Sequence, residues 1–206
     1  MAHRRRPLGV ALALNTVVLG VEFGTGTATG SLSLITDSVH NLSDETALAL
    51  LLLAYTLRAG LSGRLLRSAN LCNGIGLLAV SAYLVWQSAE RLLAPVAVPS
   101  FGPIAAGVLG VAGNWGVANA LREAAREDAA IRLAYVHNLG DVLLSLGPVL
   151  AGMLILVTGR SLFDPALAFV LGGAIGVTTV RELFAAGGTL IWPENVVCGH
   201  PEEART

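Results

Sequence analysis

Ser38-Val39-His40-Asn41-Leu42-Ser43-Asp44 and Tyr135-Val136-His137-Asn138-Leu139-Gly140-Asp141 share the pattern V-H-N-L-x-D. Each copy lies in an apolar stretch, residues 32–57 and 130–158, long enough to cross about 30 Å of hydrocarbon at about 1.5 Å per residue. Residues four apart stand one above the other on a helix, so His40 with Asp44, and His137 with Asp141, each turn a nitrogen and a carboxylate to one side. The flanks of the two copies decide the fold class, all-α and polytopic. The copies themselves are where the chain departs from hydrocarbon.

Outward from these copies, Gly, Pro and charged residues bound four more apolar stretches, at about 7–27, 69–91, 102–121 and 165–188. The 206 residues are 54% hydrophobic and 13% charged, about half the charged share of an average soluble domain (roughly 25%), with a mean hydropathy of +0.68. Six transmembrane helices forming one transport-sized domain over residues 1–190, with a short tail over 191–206, account for the whole length. Short linkers join them: the Gly24-to-Gly30 run, an Arg58-to-Arg67 loop, Pro95 to Pro99, Arg122 to Arg132, and Gly159 to Pro165. Arg122, Glu123, Arg126, Glu127 and Asp128 fall at helical spacing and are expected to continue the fifth helix inward.

All 13 basic residues are arginine. A cytoplasmic N-terminus puts eleven of them on the inner side and leaves Arg91 and Arg160 outside, which favours both termini in the cytoplasm. His3-Arg4-Arg5-Arg6 before an apolar run has the form of a signal peptide, but Asn15 and Glu22 within that run favour a retained first helix. Cys72 and Cys198 are too few for a disulfide framework. Cys198 and His200 form a candidate weak metal pick-up pair in what is expected to be a flexible tail.

A carboxylate at a helix centre in a bilayer costs on the order of 3 kcal/mol, so two His–Asp pairs there need compensation. One divalent cation held by His40, Asp44, His137 and Asp141 supplies it, and two nitrogens with two oxygens in tetrahedral array suit Zn²⁺. The second and fifth spans run in opposite directions, which lets the pairs face each other. His40 lies about 12 Å below the outer end of its helix, and His137 is expected to reach that depth only if its helix begins near Glu123.

Glu22 and Asp37 are accessory candidates, since buried acids are functional candidates by default. Glu22 either braces the bundle or relays protons; Asp37 guides exit, carries protons, or caps the outer end of its helix. Glu45 points about 100° away from Asp44 and is not expected to be a ligand. Asn41 and Asn138 are expected to bond between helices, and Gly107, Gly110, Gly113 and Gly116 to admit a close neighbour. Gly147-Pro148 breaks the fifth helix and gives a bend or a fixed kink.

At these residues the chain resembles the cation diffusion facilitator family, and within it zinc-selective bacterial exporters. The resemblance covers most of the chain: Asn15, Glu22 and Ser31 to His40; Leu133 to Asp141 and on to Gly147; Glu90 to Pro95; and Asp164-Pro165. It implies a multi-pass protein of the bacterial inner membrane that exchanges a divalent metal ion for protons, usually as a homodimer. His40, Asp44, His137 and Asp141 would be the transport-site ligands. A His at the position of His40, where less selective members carry Asp, implies preference for zinc over cadmium.

Two departures accompany the resemblance: no His-rich inner loop is present, and the family's cytoplasmic dimerisation domain is expected to be lacking. Zn²⁺ enters as transported substrate, with no prosthetic group, no enzymatic activity and no nucleic-acid partner expected. Against an intramembrane metalloenzyme stand the missing HExxH motif and a symmetric ligand set with no open position. A non-transporting subunit or scaffold paired with a full-length relative is the alternative.

Overall fold

The computed structural model describes residues 2–57 and 63–185, and within them every regular element is helical. The helices are α1 (Ala2–Thr29), α2 (Leu32–Thr56), α3 (Gly63–Leu93), α4 (Phe101–Leu121), α5 (Ala124–Glu127), α6 (Ala129–Leu144), α7 (Leu146–Thr158) and α8 (Phe163–Ala185). Five stretches are long and apolar enough to cross a membrane: α1 from Arg5, α3 from Leu71, α4, α6 with α7 taken together, and α8 to Arg181. At 25 residues α2 is long enough, but Asp37, Asp44 and Glu45 make it too polar to count among them. Arg58 lies outside the described residues, as do the tail's Cys198, His200 and Arg205 and the side chains of Arg64 and Arg67.

The Gly24-to-Gly30 run is helix rather than linker. Thr27 and Thr29 satisfy their hydroxyls by donating to the Phe23 and Thr25 carbonyls, and α1 runs on to Thr29. The turn is made by Gly30 alone, at φ +70°, a conformation that glycine adopts without strain. The Arg91 guanidinium, at the end of α3, donates to its carbonyl.

α2 then starts under an unusual cap. Ser31 caps it conventionally, accepting from Leu34 N, while Asp164 in the first turn of α8 reaches over the same helix end. The Asp164 carboxylate accepts from the Leu32 and Ser33 amides at 2.7 and 3.3 Å, and from the Ser31 and Ser33 hydroxyls at 2.6 Å each. A fully buried anion at a helix N-terminus satisfies orphan amides and meets the positive end of the dipole. Asp37, by contrast, caps nothing.

The fifth span is two helices. α6 ends at Leu144 and α7 begins at Leu146, with Ser145 between them. Pro148 explains the position: it has no amide for the Leu144 carbonyl, and its ring crowds that carbonyl. At the other end α6 does not begin near Glu123. Glu123 to Glu127 form a separate turn, pinned by an exposed Arg126–Glu123 contact, and α6 starts at Ala129. Asp128 enforces the break. Its backbone is extended, at φ −132° and ψ 122°, and its side chain caps α6 by accepting from Ala130 N and Ile131 N.

α1 packs between α2 and α4; α4 carries α6 and α7; α8 closes the bundle against α2, α3 and α7. Lipid gives little hydrophobic force between helices, so close approach does the work. On α4, Gly110 and Gly113 face Glu22 and Val18 of α1, and Gly107 lies against Pro148 and Val149 of α7. One apolar cluster joins Leu8, Leu48, Leu51, Tyr55, Leu121 and Ile131, and a second joins Leu32, Leu84 and Ala168. The polar stretch of α2 from Thr36 to Asp44 lies between these two clusters.

Asp164→Ala removes four acceptor contacts from a buried helix end, each worth about 1 kcal/mol or more. The expected outcome is a loss of roughly 2–4 kcal/mol in the unfolding free energy of the detergent-solubilised protein, with helix content unchanged in the folded baseline. Circular dichroism through a denaturation series checks it.

Candidate metal centre

α2 and α6 pack little against each other directly; each leans on a neighbour, α1 and α4 respectively. Between them stand the four predicted side chains. His40 Nε2 lies 2.9 Å from Asp141 Oδ1, and His137 Nε2 lies 2.9 Å from Asp44 Oδ1. The pairs are thus crossed: each imidazole meets the carboxylate of the other helix, while its own i+4 partner stands at 3.9 Å. The imidazole rings are 5.5 Å apart between centroids.

One ligand atom from each of the four residues can be chosen so that all lie within 4.8 Å of one another. Ligands at about 2.0–2.1 Å from a tetrahedral Zn²⁺ are separated by roughly 3.3 Å. The four His–Asp edges, two at 2.9 and two at 3.9 Å, bracket that value. The second oxygens of Asp44 and Asp141 are buried without a hydrogen-bond partner, as is His40 Nδ1. Buried acceptors left unpaired ask for a cation or a proton.

The register follows from the inner ends of the helices. Tyr55 donates to Asp128 at 2.5 Å, so the cap of α6 is held level with the last turn of α2. Eleven residues separate Tyr55 from Asp44 and nine separate Asp128 from His137, or about 16 and 14 Å of helix. The pairs therefore meet although α6 starts at Ala129. The expectation of a start near Glu123 took depth from the membrane edge, whereas the Tyr55–Asp128 contact sets it directly.

Access is uneven. The His137 side chain is 43% exposed, against at most 8% for His40, Asp44 and Asp141. Glu45 is turned away and held by α1: it accepts from Asn15 Nδ2 at 2.9 Å and Thr16 Oγ1 at 2.5 Å. Asn41 does bond between helices, donating to Glu22 Oε2 at 2.6 Å, but Asn138 donates within its own helix, to the Ala134 carbonyl. Glu22 and Asp37 are outside the four-atom cluster; they lie against each other, and Asp37 also against Ser145 at the α6–α7 break. Ser145 accepts from Asn114 of α4 at 2.9 Å. Neither Asn114 nor Ser145 is marked by the sequence repeat; an Asn in the middle of the apolar fourth span is the signal that would have found the first.

Five apolar helical stretches among the described residues, with a cluster of two imidazoles and two carboxylates between α2 and α6, fit a multi-pass integral membrane protein. Residues 8–191 match the model of the cation efflux transmembrane domain. The chain belongs to the cation efflux, or cation diffusion facilitator, family, a family of transporters. It is 31% identical over 180 residues to the zinc transporter ZitB of Escherichia coli, covering 82% of this chain and 56% of that one. It is 29% identical over 176 residues to a cadmium, cobalt and zinc/H(+)-K(+) antiporter of Bacillus velezensis, covering 81% and 56%. To the metal cation efflux system protein CzcD of Cupriavidus metallidurans it is 30% identical over 175 residues, covering 81% and 55%. The chain matches about half the length of each of these relatives.

A cation seated among these four side chains needs all of them, and the crossed geometry makes the two helices equivalent. His40→Ala and His137→Ala are each expected to weaken zinc binding by more than the roughly 10- to 100-fold typical of outer-shell changes, and to within about threefold of each other. Calorimetric titration of the purified variants checks it; a tenfold difference between them would contradict the equivalence.

Proposed function

We propose that the chain exports a divalent transition-metal ion, zinc first, in exchange for protons, by alternating access to the site formed by His40, Asp44, His137 and Asp141. The observation that carries this reading is the crossed pairing of two imidazoles with two carboxylates whose ligand atoms gather within 4.8 Å of one another. Two nitrogen and two oxygen donors favour Zn²⁺ over hard ions that want six oxygens and soft ions that want sulfur. Zinc is named for both the Escherichia coli and the Bacillus velezensis relatives, with cobalt and cadmium added for the second.

The same distances support the proton-exchange half of the reading. A ring nitrogen 2.9 Å from a carboxylate oxygen is held there by a proton between them, because two lone pairs at that separation repel. A cation coordinated by the same nitrogens takes the place of that proton, which leaves the site where the imidazole was protonated at both nitrogens. Metal and proton thus compete for one set of atoms.

The helices suit six spans with both termini in the cytoplasm of a bacterial cell, in the inner membrane, as one domain over residues 1–190. Arg5 donates to the Tyr55 and Thr56 carbonyls, which puts the arginine-rich start of α1 beside the end of α2 and the start of α6, while Arg91 and Arg160 belong to the opposite end. That asymmetry favours the inner side for the first group. A homodimer remains the family-based expectation for the assembly, and no prosthetic group is invoked.

Zinc-loaded liposomes containing the full chain test the reading, with metal and pH followed together. Wild type is expected to exchange zinc for protons, and Asp141→Ala to abolish exchange with the helical fold retained; undiminished exchange in that variant would remove the site assignment. The sign of the pH effect is fixed. Because the metal-free site holds the protons, zinc affinity falls as pH falls, by up to about 100-fold per pH unit where two protons are displaced; affinity flat from pH 8 to pH 5.5 contradicts the competition.

A further inference from the structure

Beside the four-residue cluster lies a second buried polar group that the metal site does not use. Glu22 of α1 is fully buried, and its Oε1 has no hydrogen-bond partner; the same is true of Asp37 Oδ2, Asn41 Oδ1 and Asn114 Oδ1. These side chains are linked: Asn41 donates to Glu22 Oε2, Asp37 lies against Glu22 and Ser145, and Asn114 donates to Ser145. Among the described residues, the ionisable group facing Glu22 is another acid, Asp37; α4 offers it Gly110, and α6–α7 offer Ser145. His40 and Asp141 come next, facing Asp37 rather than Glu22.

Four unpaired acceptor oxygens in a dry setting ask for positive charge. The donor set is oxygen only, which does not suit zinc and would suit a hard ion. The packing excludes the ion: Glu22 Oε1 is pressed so close to Gly110 that a methyl group there would lie 2.0 Å from it. A hard metal ion needs about six oxygens around it at 2 Å or more, whereas a proton needs no room.

We propose that Glu22, backed by Asp37, seats a counter-transported proton at a site separate from the metal ligands, formed where α1 and α2 meet α4 at the α6–α7 break. This rests on the exchange reading above and deepens it. Glu22 releases its proton while zinc occupies the histidine–aspartate cluster and takes one up after zinc leaves, so the proton crosses on the return step only. The break at Ser145 borders both sites, since Ser145 follows Asp141 by one helical turn and donates its amide to the Asp141 carbonyl. A change in the bend therefore alters what faces Glu22 as it alters the metal cage.

The experiment compares wild type with the isosteric Glu22→Gln in liposomes, counting protons moved per zinc, alongside zinc titration of the same preparations. Glu22→Gln is expected still to bind zinc and to exchange it, with one proton fewer per zinc and a pH dependence of zinc affinity shallower by up to about tenfold per pH unit. An unchanged proton count overturns the proposal, as does zinc binding weakened tenfold or more with the count preserved. Replacing an impermeant organic cation by sodium or potassium is expected to change nothing; a dependence on either ion means that the oxygens hold it instead, and overturns the proton assignment. Loss of all proton movement in wild type overturns this and the exchange reading together.

A second readout does not depend on the variant's folding. Infrared spectra of metal-free wild type are expected to show the C=O stretch of a protonated carboxyl that is lost on zinc saturation. Its persistence in the zinc-saturated protein overturns the proposal even if Glu22→Gln does not assemble.

Discussion

Two imidazoles facing two carboxylates across a gap between antiparallel helices, with His40, Asp44 and Asp141 buried, set the terms for the rest of this structure. A charged carboxylate there costs on the order of 3 kcal/mol, and the cost is met only if its partner on the other helix stands within hydrogen-bond distance. A slip of one residue along either helix turns a side chain by about 100° and loses the contact. Much of the remaining polar structure serves that register. Asp164 fixes one end of α2, Tyr55 and Asp128 tie its other end to α6, and Asn15 and Thr16 hold Glu45 out of the way.

The same accounting explains why α2, alone among the long described helices, holds no stretch apolar enough to count as a membrane span. It brings His40 and Asp44 to the cluster, Asp37 to the neighbouring acid pair and Glu45 to α1, so it cannot also look like a membrane span by hydropathy. Its polar side chains face other helices instead of lipid. Helix α6 shares the cluster but takes its remaining surface from Leu133, Val136, Leu139 and Leu143, which are exposed on the outside of the bundle.

The site was legible because its signal is repetition: two copies of one heptapeptide pattern in apolar surroundings are difficult to explain by packing alone. The apolar runs were legible for the same reason that hydropathy works at all, namely that backbone in lipid must be helical. What the sequence hid was local and came from single side chains acting on backbone. The Gly-Thr run looked like a linker, yet threonine hydroxyls bonding back to carbonyls let α1 continue through it. The charged segment before α6 looked helical throughout, yet Asp128 prefers to cap, and so starts a new helix. The capping role of Asp164 is hidden in the sequence, because a carboxylate that caps a helix 132 residues away leaves no periodic trace.

The most direct test of the central claim is zinc-edge X-ray absorption on the purified, zinc-loaded full chain. Four light-atom ligands at about 2.0 Å, with the outer-shell scattering pattern of two imidazoles and no sulfur, is the predicted spectrum. A sulfur ligand near 2.3 Å, or a shell of six oxygens without imidazole, would mean that zinc binds elsewhere and that the crossed pairs of α2 and α6 do not hold it.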